Sequence, residues 1–238
     1  MRVAVMQPYL FPYLPYFQLM HAVDRFVLLD TVQHIRRGWM NRNCIRLENR
    51  EHRFAIPLKS APQATPIADI IFAANVKQVG RQIQNLLRHA YAKAPCWDSV
   101  EAVTGPIFER IMPNESFVDV AELGLRLIGA RVGIKTVIVR ASQLCLPHTS
   151  TGQAYILEIC EAQGADAYVN AIGGLELYRA DDFRARGIEL AFLESHITPY
   201  RQCGEGFLPN LSVIDALANL DEDGLGQRLG EYQLLRSA

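Results

Sequence analysis

Three stretches of this 238-residue chain gather side chains able to bind or react. The first is Met6-Gln7-Pro8-Tyr9-Leu10-Phe11-Pro12-Tyr13-Leu14-Pro15-Tyr16-Phe17, with an amide, five rings, three prolines and no glycine. A loop this stiff and aromatic suits stacking of a base or a sugar. Lacking glycine, it is neither a dinucleotide-binding turn nor a P-loop, since both need bare backbone to wrap phosphates. Gln7 is expected to act on the ligand, and Tyr9 to stack on it.

The second stretch runs from Asp30 to Asn43. Asp30 stands where a strand ends, a position that suits a general base, a ribose contact or a Mg²⁺ ligand. Arg36, Arg37 and Arg42 can grip phosphate through paired N–H groups. Trp39 offers a stacking face, and Asn41 and Asn43 offer paired donors and acceptors. His34 brings an imidazole that titrates near neutral pH. The catalytic candidates are therefore Asp30, Gln7 and His34.

The third group is dispersed. Lys59 follows Pro57 at a strand end, where it can neutralise phosphate. Asn170-Ala171-Ile172-Gly173-Gly174 follows a buried strand, and its glycines admit close backbone approach. Ser212 opens a late helix, with Asn210 expected as N-cap. Cys44, between Arg42 and Arg46, is a weaker candidate nucleophile. Arg46, Arg50 and Arg53 read as solvated charges on a hairpin, with phosphate or RNA contact as the alternative.

The elements that would position these residues alternate. Arg2–Met6 reads as a buried strand, Tyr16–Val23 as a helix and Phe26–Leu29 as a second strand, which makes a βαβ unit with a right-handed crossover. A hairpin over 43–57 and helices over Val76–Tyr91, Ser99–Ile111 and Phe117–Val132 follow, with Pro95 and Pro106 as interruptions or caps. Strands at 136–140, 167–170 and 188–193 alternate with helices at 155–162 and 180–186. Late helices are expected over Ser212–Ala218 and Leu225–Leu235. The reading is one α/β domain over 1–238. It has a doubly wound, mostly parallel, Rossmann-like sheet and a helical sub-lobe at 76–132.

Composition narrows the function classes. The chain is 50% hydrophobic and 21% charged, with a net charge of −1, so bulk charge does not favour coating DNA or an anionic membrane. The charge is uneven: residues 1–60 carry nine Lys/Arg against four Asp/Glu, and the rest carries fifteen against twenty-one. An anionic ligand is therefore sought in the first quarter. No apolar run is long enough to span a bilayer, and the N-terminus, broken by Gln7 and three prolines, does not read as a signal peptide. Five widely spaced cysteines give no zinc or redox motif and fit a reduced, cytoplasmic protein. No metal-ligand spacing is evident.

The motifs together resemble the WbqC-like family. The resemblance rests on Gln7-Pro8-Tyr9, Asp30 with Val32-Gln33, Arg37-Gly38-Trp39, Asn41-Arg42-Asn43, Pro57-Leu58-Lys59, Asn170 to Gly174, Leu177-Tyr178 and Leu211 to Asp215. It runs nearly end to end. It implies a place in bacterial surface-polysaccharide (O-antigen) assembly, as a transferase moving a glycyl or other small acyl group onto a nucleotide-linked amino sugar. Substrate contacts would be Tyr9, Gln33, Arg37, Trp39, Asn41, Arg42, Lys59, Asn170, Gly173, Gly174 and Ser212. The acyl donor is left open, and a charged tRNA is one candidate.

The family also resembles nucleotidylyltransferase-type folds, which would bring ATP and Mg²⁺ as cofactors. The alternatives are then nucleotidylyl or adenylyl transfer, or a non-catalytic module for a nucleotide sugar or tRNA. Thr31 stands where the family often has a second acid, and Pro15 where it often has glycine.

Overall fold

In a computed structural model of the chain, residues 1–36, 38–147 and 150–237 are described. A six-stranded sheet forms the centre. Its strands are β1 (Arg2–Met6), β2 (Arg25–Leu28), β5 (Val137–Arg140), β6 (Ala167–Ala171), β7 (Glu189–Ser195) and β8 (Tyr232–Arg236). The order is β5-β2-β1-β6-β7-β8, parallel throughout except for β8, which runs antiparallel to β7. The chain winds outward from β1 to β2 and β5, then returns to build β6 and β7 on β1's other flank. The winding reverses between β1 and β6, the place where open α/β sheets bind ligands.

The strands are apolar on both faces, as burial between two helical layers requires. Val3, Val5, Val27, Tyr168, Leu190 and Phe192 belong to a core with α5 (Gly152–Ala162) and α6 (Ala180–Arg184). The alternate residues Ala4, Phe26, Leu28, Ile138, Val169 and Leu193 belong to the opposite core. There they join α1 (Leu14–His21), α7 (Val213–Asn219) and α8 (Glu222–Gly230). Each such fully buried aliphatic or aromatic side chain contributes roughly 1.5–3 kcal/mol. The segment 76–132 forms α2 (Val76–Tyr91), α3 (Trp97–Arg110) and α4 (Phe117–Arg131), whose apolar residues lie in that same larger core.

Hairpin β3 (Arg42–Leu47) and β4 (Arg50–Ala55) stands apart from the sheet. Glu48 and Asn49 both have positive φ, 48° and 62°, which suits the tight turn that joins them.

Two features differ from the sequence reading. The helix expected over Leu225–Leu235 stops at Gly230, and the rest becomes β8. Tyr232 and Leu234 are half-buried against the core while Gln233 and Leu235 face out, and pairing with the free edge of β7 outweighs local helix propensity. The cap of α7 is Ser212, whose Oγ accepts from the Ile214 amide, and not Asn210.

Candidate functional site

A cavity of about 940 Å³ opens where the winding reverses. One wall is the end of β1 and its loop, with Met6, Gln7, Tyr9, Tyr13 and Tyr16. A second is the end of β6 and the 3₁₀ turn after it, with Asn170, Gly173, Gly174 and Leu177. A third comes from the turn before β3 and from the hairpin itself: Trp39, Met40, Cys44, Glu51 and Arg53.

The aromatic loop is fixed before any ligand arrives. Asn43 Nδ2 donates to the carbonyls of Leu10 and Phe11, both at 2.7 Å. Ser212 Oγ donates to the Phe11 carbonyl at 2.8 Å. The Leu10 amide donates to the Met40 carbonyl, and the Val213 amide to the Pro12 carbonyl. Tyr16 donates its hydroxyl to the Gln7 carbonyl at 2.9 Å and packs edge-on to Tyr9. This scaffold leaves the Gln7 side-chain amide with no hydrogen bond among the described residues, on the cavity wall.

The wall is nearly uncharged. Burial pushes the Tyr9 phenol well above its ordinary pKa, with Tyr13 and Cys44 adding to the shift. Burial raises Tyr13 and Tyr16 as well. These hydroxyls stay protonated and offer neutral donors. Burial, with the Glu51 carboxylate nearby, pushes the Cys44 thiol up to about 11, which leaves it a poor nucleophile near neutral pH. Asn170 Nδ2 donates to the Tyr168 hydroxyl, and its Oδ1 accepts from the Ala171 amide, which locks the side chain at the floor. Among the described lining residues only Glu51 and Arg53 are charged, and they lie 3.9 Å apart. The Arg53 guanidinium also sits 5.7 Å from the Trp39 ring centroid.

The family model of the WbqC-like protein family matches residues 7–226. The chain belongs to the WbqC-like protein family. It is also 22% identical, over 230 residues, to the uncharacterized protein Rv1507c of Mycobacterium tuberculosis, a match covering 92% of this chain and 94% of that one. No solved structure gives a significant match.

Of the residues expected at its site, this WbqC-like protein brings Gln7, Tyr9, Trp39, Asn170, Gly173 and Gly174 to one cavity. The others are placed elsewhere. Asp30 is 1% exposed, and its carboxylate accepts from the Ser142 amide at 2.9 Å and the Ser142 hydroxyl at 2.6 Å. Gln33 lines a separate hollow of about 630 Å³ with Thr31, Ser142 and Tyr155. His34 is half-buried outside both hollows, and burial together with Arg36 lowers its imidazole below the usual value. Asn41 donates to the Ile56 carbonyl at 2.7 Å and so ties the start of β3 to the end of the hairpin. Arg42 and Lys59 are exposed and do not line the cavity. Ser212 is buried under the aromatic loop that it pins. Arg37 lies outside the described residues.

Sequence reasoning missed Glu51 as a site residue and placed phosphate contact by Arg53 behind a solvated role; Arg53 is exposed and also lines the cavity. The hairpin register was the available signal, because it sets Arg53 opposite Cys44 and puts Glu51 two residues away on the same face. Arg46 is not a solvated strand charge. It is 2% exposed and donates to Gln202, Asn49 and the carbonyls of Glu205 and Gly206. That buried cluster continues to Asp215, which accepts from Tyr91, Tyr200 and Gln202.

The donor set does not fit a tightly held divalent metal. No three His, Cys, Asp or Glu side chains converge among the described residues, and Asp30 is committed to Ser142. No helix among them is long and apolar enough to cross a membrane.

Proposed function

We propose that the crevice between β1 and β6 is the acceptor site of a transferase of glycoconjugate assembly. The acceptor is a nucleotide-linked amino sugar, and the group moved is a small acyl group. The carrying observation is the wall itself: neutral phenols and amides at Gln7, Tyr9, Tyr13 and Asn170 face stacking surfaces, with one cation and one carboxylate at the mouth. Sugars are held through neutral hydrogen bonds and ring faces. About 940 Å³ lies near the top of the usual range of roughly 300–1,000 Å³ for ligand pockets.

In this reading Trp39 stacks on base or sugar, Gln7 and Asn170 orient hydroxyls, and Arg53 takes the role first given to Arg42, facing the diphosphate. Glu51 takes the role first given to Asp30, because it lines the cavity and Asp30 does not. Glu51 would accept the proton as the sugar amine attacks the acyl carbonyl. The C–N bond forms, the bond from carbonyl carbon to the donor's leaving oxygen or sulfur breaks, and the leaving atom takes the proton. General base help is typically worth about 10²–10⁴-fold, so Glu51→Gln should lose at least the lower figure.

The test is a thermal-shift panel of ATP, CTP and nucleotide-linked sugars and amino sugars, each with and without Mg²⁺. Ligand at about 100 times its Kd stabilises by about 2.7 kcal/mol, a shift of several degrees in a chain of this size. A shift confined to nucleotide-linked amino sugars, and lost in Arg53→Ala, is the expected result. A Mg²⁺-dependent shift with ATP alone would replace this reading with adenylyl transfer.

A further inference from the structure

The mouth of the crevice is apolar where it meets water. Ile35, Trp39 and Leu177 are 58%, 54% and 69% exposed, and all three line the cavity. They come from two distant segments, the turn before β3 and the 3₁₀ turn after β6, so the fold itself assembles them. Single exposed hydrophobics are ordinary on a protein surface, but three around one opening mark a surface that is covered when the site is in use. The same cavity is also lined by Met6, Leu29 and Ile156, apolar side chains at the ends of β1 and β2 and on α5. The neutral wall and the Trp39 face suit the nucleotide sugar, and that reading gives no role to Ile35 or Leu177.

We infer that the rim seats a hydrocarbon chain. The small acyl group moved by this protein is a short aliphatic chain, laid across Ile35 and Leu177, rather than a glycyl group. Three side chains are too small a patch for a stable protein partner, which covers about 800 Å² on each side. A membrane surface would press on the rim alone, whereas Met6, Leu29 and Ile156 lie on the lining of the same cavity. Continuity with the cavity leaves the ligand's own chain as the occupant. This inference rests on the transferase reading of the crevice, and the acyl donor is an activated acyl ester or thioester as in the step above.

The experiment is calorimetric titration of the full chain with n-alkyl β-D-glucopyranosides from butyl to octyl, each below its micelle concentration. Burying one methylene corresponds to about a threefold to fourfold gain in affinity, so affinity should climb by that factor per carbon. The double variant Ile35→Ser with Leu177→Ser should flatten the climb and leave the butyl compound within about twofold of its original affinity. Both positions are exposed, so the unliganded melting temperature should hardly move. A flat series in the unmodified protein overturns the inference, and so does a climb that survives the double variant. Nucleotide-sugar binding with a flat alkyl series removes the chain site and keeps the acceptor site. A climb without any nucleotide-sugar response does the reverse.

Discussion

The Nδ2 of Asn43 donates to the carbonyl oxygen of Phe11 at 2.7 Å, and Phe11 has a φ of +56°. A bulky residue in the left-handed region is strained by roughly 1–3 kcal/mol and persists only where its surroundings hold it. Asn43 and Ser212 do the holding, and the residues on either side of Phe11 carry Tyr9 and Tyr13 onto the cavity wall. Asn43→Ala leaves the buried Leu10 carbonyl without that donor, at about 1–3 kcal/mol. At roughly 2–4 °C per kcal/mol, the melting temperature should fall by several degrees. Ligand affinity of the still-folded protein should fall as well. Unchanged affinity beside a lowered melting temperature would show that the clamp is purely structural.

Asp215 should make stability depend on pH. Burial raises its carboxyl above the ordinary aspartate value, although Tyr200, Tyr91, Gln202 and Arg46 pull the other way. The native state then holds the proton more tightly than the unfolded chain does. Its contribution is full below the ordinary aspartate pKa and is lost as pH rises through the raised one. Asp215→Asn should remove this slope in the range just above about pH 4. Urea unfolding of both proteins across that range checks it. A stability difference that stays constant with pH would mean the carboxyl does not titrate in this way.

Much of the fold was legible because burial leaves its own patterns. β1 and β2, which are covered on both faces, are short continuous apolar runs, and the helices 76–91 and 117–131 carry a period-3.6 apolar stripe. β8 was not legible, since Tyr232 to Arg236 becomes a strand only through the free edge of β7. At the site, Gln7, Tyr9, Trp39 and Asn170 could be picked out because rings and amides clustered at strand ends carry their own signal. Asp30 carried the same signal, but Ser142, far along the chain, takes both its carboxylate oxygens. Arg46 and Arg53 share one face of the hairpin, since Arg46 stands opposite Glu51 and Arg53 opposite Cys44. Which of them is buried depends on loop 202–206, which folds over Arg46 and is remote in sequence.

Gly173 and Gly174 should respond differently to the same substitution. A Cβ on Gly174 would lie 2.9 Å from Asn170 Nδ2 and 3.3 Å from the Tyr178 ring. One on Gly173 would meet nothing within 4 Å. Gly174→Ala must displace the locked Asn170 side chain, at roughly 1–3 kcal/mol, and should lower both stability and ligand affinity. Gly173→Leu should leave the melting temperature nearly unchanged while its side chain occupies the cavity and blocks ligand. Thermal melts of the two variants, with and without the nucleotide sugar that shifts the parent, separate the cases. A Gly173→Leu protein that still binds normally would move the ligand away from this wall.

Arg53 and Trp39 should act on the ligand and hardly on the fold. The guanidinium lies 5.7 Å from the indole centroid, yet both side chains are largely exposed, and the Glu51 partner is 3.9 Å away. Exposed pairs of either type are worth about 0–1 kcal/mol. Arg53→Ala and Trp39→Ala should therefore each move the melting temperature by no more than about 2–4 °C. Binding should suffer far more, because a desolvated cation on a diphosphate and a ring face under a base or sugar gain their strength only when the ligand excludes water. Arg53→Lys, which keeps the charge and loses the planar fork, should recover only part of the affinity. Raising the salt concentration should weaken the parent more than Arg53→Ala, because only the parent retains the charge contact. If both alanine variants bind as tightly as the parent, the ligand does not use this mouth, and the deeper wall at Gln7 and Asn170 must account for binding alone.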